Sequence, residues 1–170
     1  QLGNFNVRIS FGMGAPARIP WIAFISPEMK VSKGFYPVYL YYKEQNTLIL
    51  AYGLSETEEF SQSWPAEIMN STETIKAHFN QDVPRYGDSF VFKSYTVSFN
   101  GDEVSLLYRN TQQATTNQDI ESDLDTILDY YQKITLSPSV AQAPVSLSLS
   151  QGIFYMEKQL EDFWFINGRI

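Results

Sequence analysis

Residues 5–11 alternate without a break: Phe5, Val7, Ile9 and Phe11 are separated by Asn6, Arg8 and Ser10. A side-chain period of two puts the apolar set on one face and the polar set on the other, the pattern of a half-buried β-strand. Gly12-Met13-Gly14-Ala15-Pro16 then forces a loop, with two glycines and a proline in five residues. Residues 19–25 predict a second strand, with Pro20 near its start, where a missing N–H is tolerated. A polar loop over 26–34 ends at Gly34. Residues 35–43 (Phe-Tyr-Pro-Val-Tyr-Leu-Tyr-Tyr-Lys) and 47–52 predict two more strands, joined by a short turn at Glu44-Gln45-Asn46.

The rest of the chain mixes helical and strand signals. Residues 54–70 are acidic and irregular, and Asn70 followed by Glu73 has capping-box spacing, which predicts a helix running to about residue 79. Residues 89–99 and 103–109 flank Asn100-Gly101, a two-residue hairpin signal. Ile120, Leu124, Ile127, Leu128 and Tyr131 follow helical spacing, so an amphipathic helix is expected over 117–134, with acidic residues near its start and Lys133 near its end to suit its dipole. The expected fold is α+β, with a mixed, mostly antiparallel sheet and flanking helices. A domain over 1–135 is expected to be followed by a charge-poor Ser/Ala/Pro linker over 136–150 and a C-terminal helical segment over 151–170. A chain that opens on Gln1 is expected to be cut from something longer.

Charge narrows the partners. The net charge is −7, which argues against indiscriminate binding to phosphate. It is unevenly spread: residues 1–54 hold Arg8, Arg18, Lys30, Lys33 and Lys43 against Glu28 and Glu44, and the remainder holds seven basic and seventeen acidic groups. A polyanion is therefore expected at the N-terminal third, with Arg8, Arg18, Lys33 and Lys43 as backbone contacts. No apolar run is long enough to span a bilayer, and the absence of cysteine excludes disulfides and thiolate metal sites.

Catalytic and cofactor motifs find little support. His78 is the sole histidine, with no carboxylate or serine placed beside it by motif. There is no P-loop, and Gly12-Met13-Gly14 leads into Pro16 and a strand instead of the helix a dinucleotide fingerprint requires. Asp119, Glu121, Asp123 and Asp125 would need Gly and Glu where Leu124 and Tyr130 stand to form a calcium loop. They read as a solvated helix face, and Glu56, Glu58 and Glu59 as a solvated loop. No catalytic residue, metal or cofactor is expected.

One cluster stands out. Tyr36, Val38, Leu40 and Tyr42 share a strand face, and Trp21 lies on the preceding strand beside the glycine loop. Core packing accounts for such a stripe, but flat aromatic walls also suit a base taken out of its stack. The runs Val7-Arg8-Ile9-Ser10-Phe11-Gly12-Met13-Gly14 and Ile19-Pro20-Trp21-Ile22-Ala23-Phe24 resemble McrB N-terminal DNA-binding domains, the specificity modules of modification-dependent (type IV) restriction systems. The likeness continues through residues 34–43 and 50–55, and returns at Tyr86-Gly87-Asp88-Ser89 and in the helix over 120–134. It implies a domain that flips 5-methylcytosine or a related modified cytosine out of double-stranded DNA. Trp21, Tyr36 and Leu40 match the base-pocket positions, and the loop Gly12, Met13, Gly14 and Ala15 matches the wedge that fills the vacated space. Met13 stands where the family carries tyrosine, and Ala15 where it carries a polar residue. Methionine remains long, apolar and adaptable, as a wedge requires.

The resemblance also implies a prokaryotic cytoplasmic setting and a nuclease or NTPase domain or subunit as partner. Met156-Glu157-Lys158-Gln159-Leu160-Glu161-Asp162-Phe163 resembles the helix ahead of some restriction-type nuclease domains, and equally a plain amphipathic helix. Two other classes compete: a nuclease with its carboxylates in this chain, which magnesium-dependent cleavage would reveal, and a protein-interaction module, which failure to bind any DNA would favour.

Overall fold

A computed structural model describes residues 4–136. The linker expected over 136–150, Leu136 apart, and the helix expected over 151–170 lie outside the described residues. Six strands are arranged as β1 (Asn6–Ser10), β2 (Trp21–Ile25), β3 (Phe35–Tyr42), β4 (Thr47–Leu54), β5 (Phe90–Asn100) and β6 (Glu103–Tyr108). They form one sheet in sequence order, every neighbour antiparallel. The α+β class therefore holds, with a sheet antiparallel throughout. Three helices accompany it: α1 (Ala66–Ser71), α2 (Ile75–Phe79) and α3 (Asn117–Thr135).

β3 is buried along its whole length because both faces of the sheet are covered. Alternation and register place Trp21, Tyr36, Val38, Leu40, Tyr42, Thr47, Ile49 and Ser94 on one face, and Phe35, Tyr39, Tyr41, Leu48, Tyr52 and Tyr95 on the other. α3 covers the second face. Its buried residues are Ile120, Leu124, Ile127, Leu128 and Tyr131, the stripe read from the sequence. The Tyr131 ring packs 5.9 Å from Phe35 and 5.5 Å from Phe5. The Asp123 carboxylate accepts hydrogen bonds from Tyr95 (2.8 Å) and Tyr108 (2.9 Å). Thr116 and Asp119 close the N-terminus of α3 as a capping box. Trp64, 1% exposed, fills the same layer between Phe35, Tyr52 and Tyr131, its indole N–H donating to the Gly53 carbonyl.

Two local expectations are corrected. The helix expected to open at Asn70 is two short helices: Asn70 lies inside α1, the chain turns extended at Thr72, and Thr74 caps α2 by accepting from the Ala77 amide at 3.3 Å. Glu73 cannot fold back as a capping-box acid because it pairs with His78. In the β5–β6 hairpin Asn100 pairs with Glu103, so the two-residue turn is Gly101-Asp102, one position later than expected. Gly101 takes φ +64 there, a conformation glycine adopts freely. The turn expected at 44–46 is a 3-10 turn over Lys43–Gln45 closed by a left-handed Asn46.

Candidate nucleic-acid interface

The β1–β2 loop is drawn tight at its base, where the Ala17 amide donates to the Phe11 carbonyl at 2.6 Å. Gly12 (φ +114) is required there: a Cβ would lie 1.9 Å from the Ala15 carbonyl oxygen. Gly14 (φ +73) faces open space, so only its backbone angle calls for glycine. Between them Met13 projects into solvent, 96% exposed, and Ala15 is exposed beside it. A closed loop with a long apolar side chain at its tip has the shape of a wedge.

Trp21 begins β2 where this loop ends and is half-buried. It lines one concavity with Tyr36, Val38, Gly53, Leu54, Tyr86 and Ser89. Gly53 forms part of the floor, since a Cβ would come 2.6 Å from both the Tyr36 carbonyl and a Val38 methyl. Ser89 is buried and fixes the floor strand, its hydroxyl accepting from the Leu54 amide at 3.0 Å. The Tyr36 hydroxyl donates to the Val31 carbonyl at 2.8 Å. Trp21 and Tyr86 are both walls of this slot. As it stands the slot has room for about one water molecule, so a planar ligand enters only if its walls move apart. Burial raises the Tyr36 and Tyr86 phenols above their ordinary value, so both remain neutral donors at physiological pH.

Of the three expected pocket residues, Trp21 and Tyr36 meet around the slot. Leu40 is fully buried opposite Trp21 in the β2–β3 register and is not among the lining side chains. Tyr86 has no role in the sequence reading, although it opens the stretch 86–89 where the family likeness returns. Its backbone is left-handed at φ +63, and the Arg85 guanidinium lies 4.7 Å over its ring. Glu56, expected in a solvated loop, instead accepts from the Tyr86 amide and from Arg85 Nε at 3.1 Å.

The four expected backbone cations are not equivalent. Arg8 is exposed on the slot face, and Arg18 is exposed in the loop beside Met13. The Tyr41 amide donates to the Pro20 carbonyl, which brings the loop's end beside the Lys43 end of β3. Lys33 precedes the other end of β3, about 26 Å away for eight strand residues, and lies 3.9 Å from Glu58.

Away from the slot on this face, His78 does have the partners its sequence context did not place: Nδ1 lies 2.6 Å from Glu73 and Nε2 lies 2.9 Å from Ser94. These two contacts tie α2 to β5, and the His78 side chain is 17% exposed. Among the described residues no three metal-ligating side chains are gathered, and no helix is long and apolar enough to cross a membrane. The α3 carboxylates are divided: Asp119 caps the helix, while Asp123 is committed to Tyr95, Tyr108 and Lys93.

The "Type IV methyl-directed restriction enzyme EcoKMcrB subunit" of Escherichia coli (strain K12) is 38% identical over 99 residues, covering 56% of this chain and 21% of the relative. The chain thus matches about a fifth of that protein's length. Residues 1–136 match the family described as MrcB-like, N-terminal domain, and the chain belongs to that family.

Proposed function

We propose that this domain is the DNA-binding specificity module of a modification-dependent restriction protein, and that it reads a modified cytosine by taking the base out of the duplex into the Trp21–Tyr36–Tyr86 slot. The observation that carries the reading is the junction of loop and slot: Met13 projects from a closed loop whose last residue leads into Trp21, the slot's own wall. A wedge and a receptacle set this close suit a single event, in which an apolar side chain fills the stack as the base leaves it. Aromatic walls bind the face of any base. Selection among bases then falls to slot depth and to neutral hydroxyl donors such as that of Tyr86.

Arg8, Arg18 and Lys43 hold the duplex across the slot face, and Lys33 contributes less because Glu58 is near it. The acidic remainder of the chain keeps affinity for unmodified DNA low. Such a module works beside a nuclease or NTPase domain or subunit, in the cytoplasm of a prokaryote, and carries out no cleavage itself. The test is binding to duplexes that differ in one base: cytosine, 5-methylcytosine, 5-hydroxymethylcytosine, N4-methylcytosine and, in place of adenine, N6-methyladenine. A marked preference for one modified cytosine is expected; equal affinity for all at physiological salt would overturn the reading.

A further inference from the structure

We infer that Glu56 is a positioning residue for the slot, holding Tyr86 in a backbone conformation that a tyrosine does not adopt unaided and neutralising Arg85 beside it. The inference rests on reading the slot as a base receptacle. A β-carbon crowds the backbone at positive φ, so Tyr86 at φ +63 has to be held there by its surroundings. The holding groups are specific. One carboxylate oxygen of Glu56 accepts the Tyr86 amide, the other accepts Arg85 Nε at 3.1 Å, and the Arg85 guanidinium caps the Tyr86 ring at 4.7 Å. The Tyr42 hydroxyl fixes the Arg85 carbonyl at 2.9 Å, and the Ser89 amide donates to the Tyr86 carbonyl at 3.1 Å. Glu56 lies two residues beyond the end of β4, whose Leu54 amide is bound by Ser89, so a single carboxylate links the slot's floor strand to its aromatic wall.

Glu56 also sets charge. Arg85 is exposed at the slot's edge, where an unpaired guanidinium would attract any phosphate regardless of sequence. With Glu56 in place, that attraction is offset, and binding is left to depend on the base.

Two readouts test this on the full chain. The first needs no DNA: the indole N–H resonance of Trp21, assigned by its loss in Trp21→Phe, reports the position of the Tyr86 ring in the same slot. It is expected to move in Glu56→Ala, and less in Glu56→Gln, whose amide oxygen still accepts the Tyr86 amide while its NH2 cannot serve Arg85. The second is affinity for a duplex with one 5-methylcytosine and for its unmodified twin. Glu56→Ala is expected to bind the modified duplex about tenfold more weakly, the scale of a lost stacking wall. The unmodified duplex should be held as well or better, with the salt slope steeper by about one charge. In a Tyr86→Ala background the substitution should no longer change the preference, since the ring it positions is gone. Should Glu56→Ala melt out, Glu56→Gln carries both readouts. An unmoved Trp21 resonance with unchanged preference overturns the inference, as does equal weakening toward both duplexes. A moved resonance in a chain whose wild type shows no preference upholds the positioning role and sinks the base-reading proposal instead.

Discussion

On the α3 face of the sheet, side chains are held mainly by other side chains. Tyr131, Phe35, Phe5 and Trp64 stack on one another, and the stripe from Ile120 to Tyr131 closes over them. On the opposite face, Tyr36 binds a loop carbonyl, Tyr86 sits in a disfavoured backbone conformation, and its position depends on one acidic side chain from another loop. The first arrangement is redundant: each ring has several neighbours, and removing one costs area. The second hangs on single directional contacts, each of which sets where one ring stands. If the slot opens for a base as proposed, stability and opening are divided between the two sides of one sheet.

Substitutions can break this division. Trp64→Ala should give the largest effect, about 3–5 kcal/mol of unfolding free energy, while the folded fraction keeps its duplex preference; denaturant unfolding with a parallel binding assay checks both. Leu124→Ala should follow at about 2–5 kcal/mol, again with preference intact. Trp21→Ala reverses the pattern. It should leave the fold in place, since Trp21 is half-buried, and remove about 1–3 kcal/mol of preference for modified DNA; a preference that survives in a folded variant would remove Trp21 from the slot's function. The loop separates more finely. Gly12→Ala should collapse the projection, whereas Gly14→Ala should cost only about 1–2 kcal/mol of backbone strain. Met13→Gly should weaken modified-DNA binding without changing which modification is preferred. The smallest effect is expected of the cations: Arg18→Ala should flatten the salt dependence by about one charge for every duplex, and Lys33→Ala by less.

The same division governs what the sequence reveals. Strands β1 to β4 and the buried stripe of α3 follow from period and turn chemistry, because a face that packs by area must repeat. Trp21 and Tyr36 were recognisable as aromatics near strand starts, and the family likeness singled them out from core residues. Trp64, the better buried of the two tryptophans among the described residues, was invisible, since it stands alone in an acidic stretch with no period to mark it. Glu56 and Tyr86 were hidden for a related reason: they act as a pair thirty residues apart, through an amide and a carboxylate, and neither leaves a trace in local pattern. The His78 contacts to Glu73 and Ser94 escaped in the same way. The Asn70–Glu73 reading failed because a capping motif is a statement about where a helix starts, and Pro65 had already started one.

The connection between β4 and β5 carries Glu56, both short helices, Tyr86 and Ser89, yet its two ends are stitched side by side, Leu54 to Ser89 at 3.0 Å. Such a segment behaves as an insert. The entropy of closing a loop grows only slowly with its length, and ends already pinned by the sheet do not register what lies between them. Provided Trp64 keeps its place in the core, the chain can therefore lengthen this cassette or replace its aromatic wall while the meander beneath keeps its register. Grafting the 55–89 segment of a relative with a different base preference between Leu54 and Phe90, with the buried Trp64 and Ile75 retained, should transfer that preference while leaving the melting transition of the sheet nearly unchanged. On the proposed reading, the Tyr86 side of recognition is a replaceable part of this architecture.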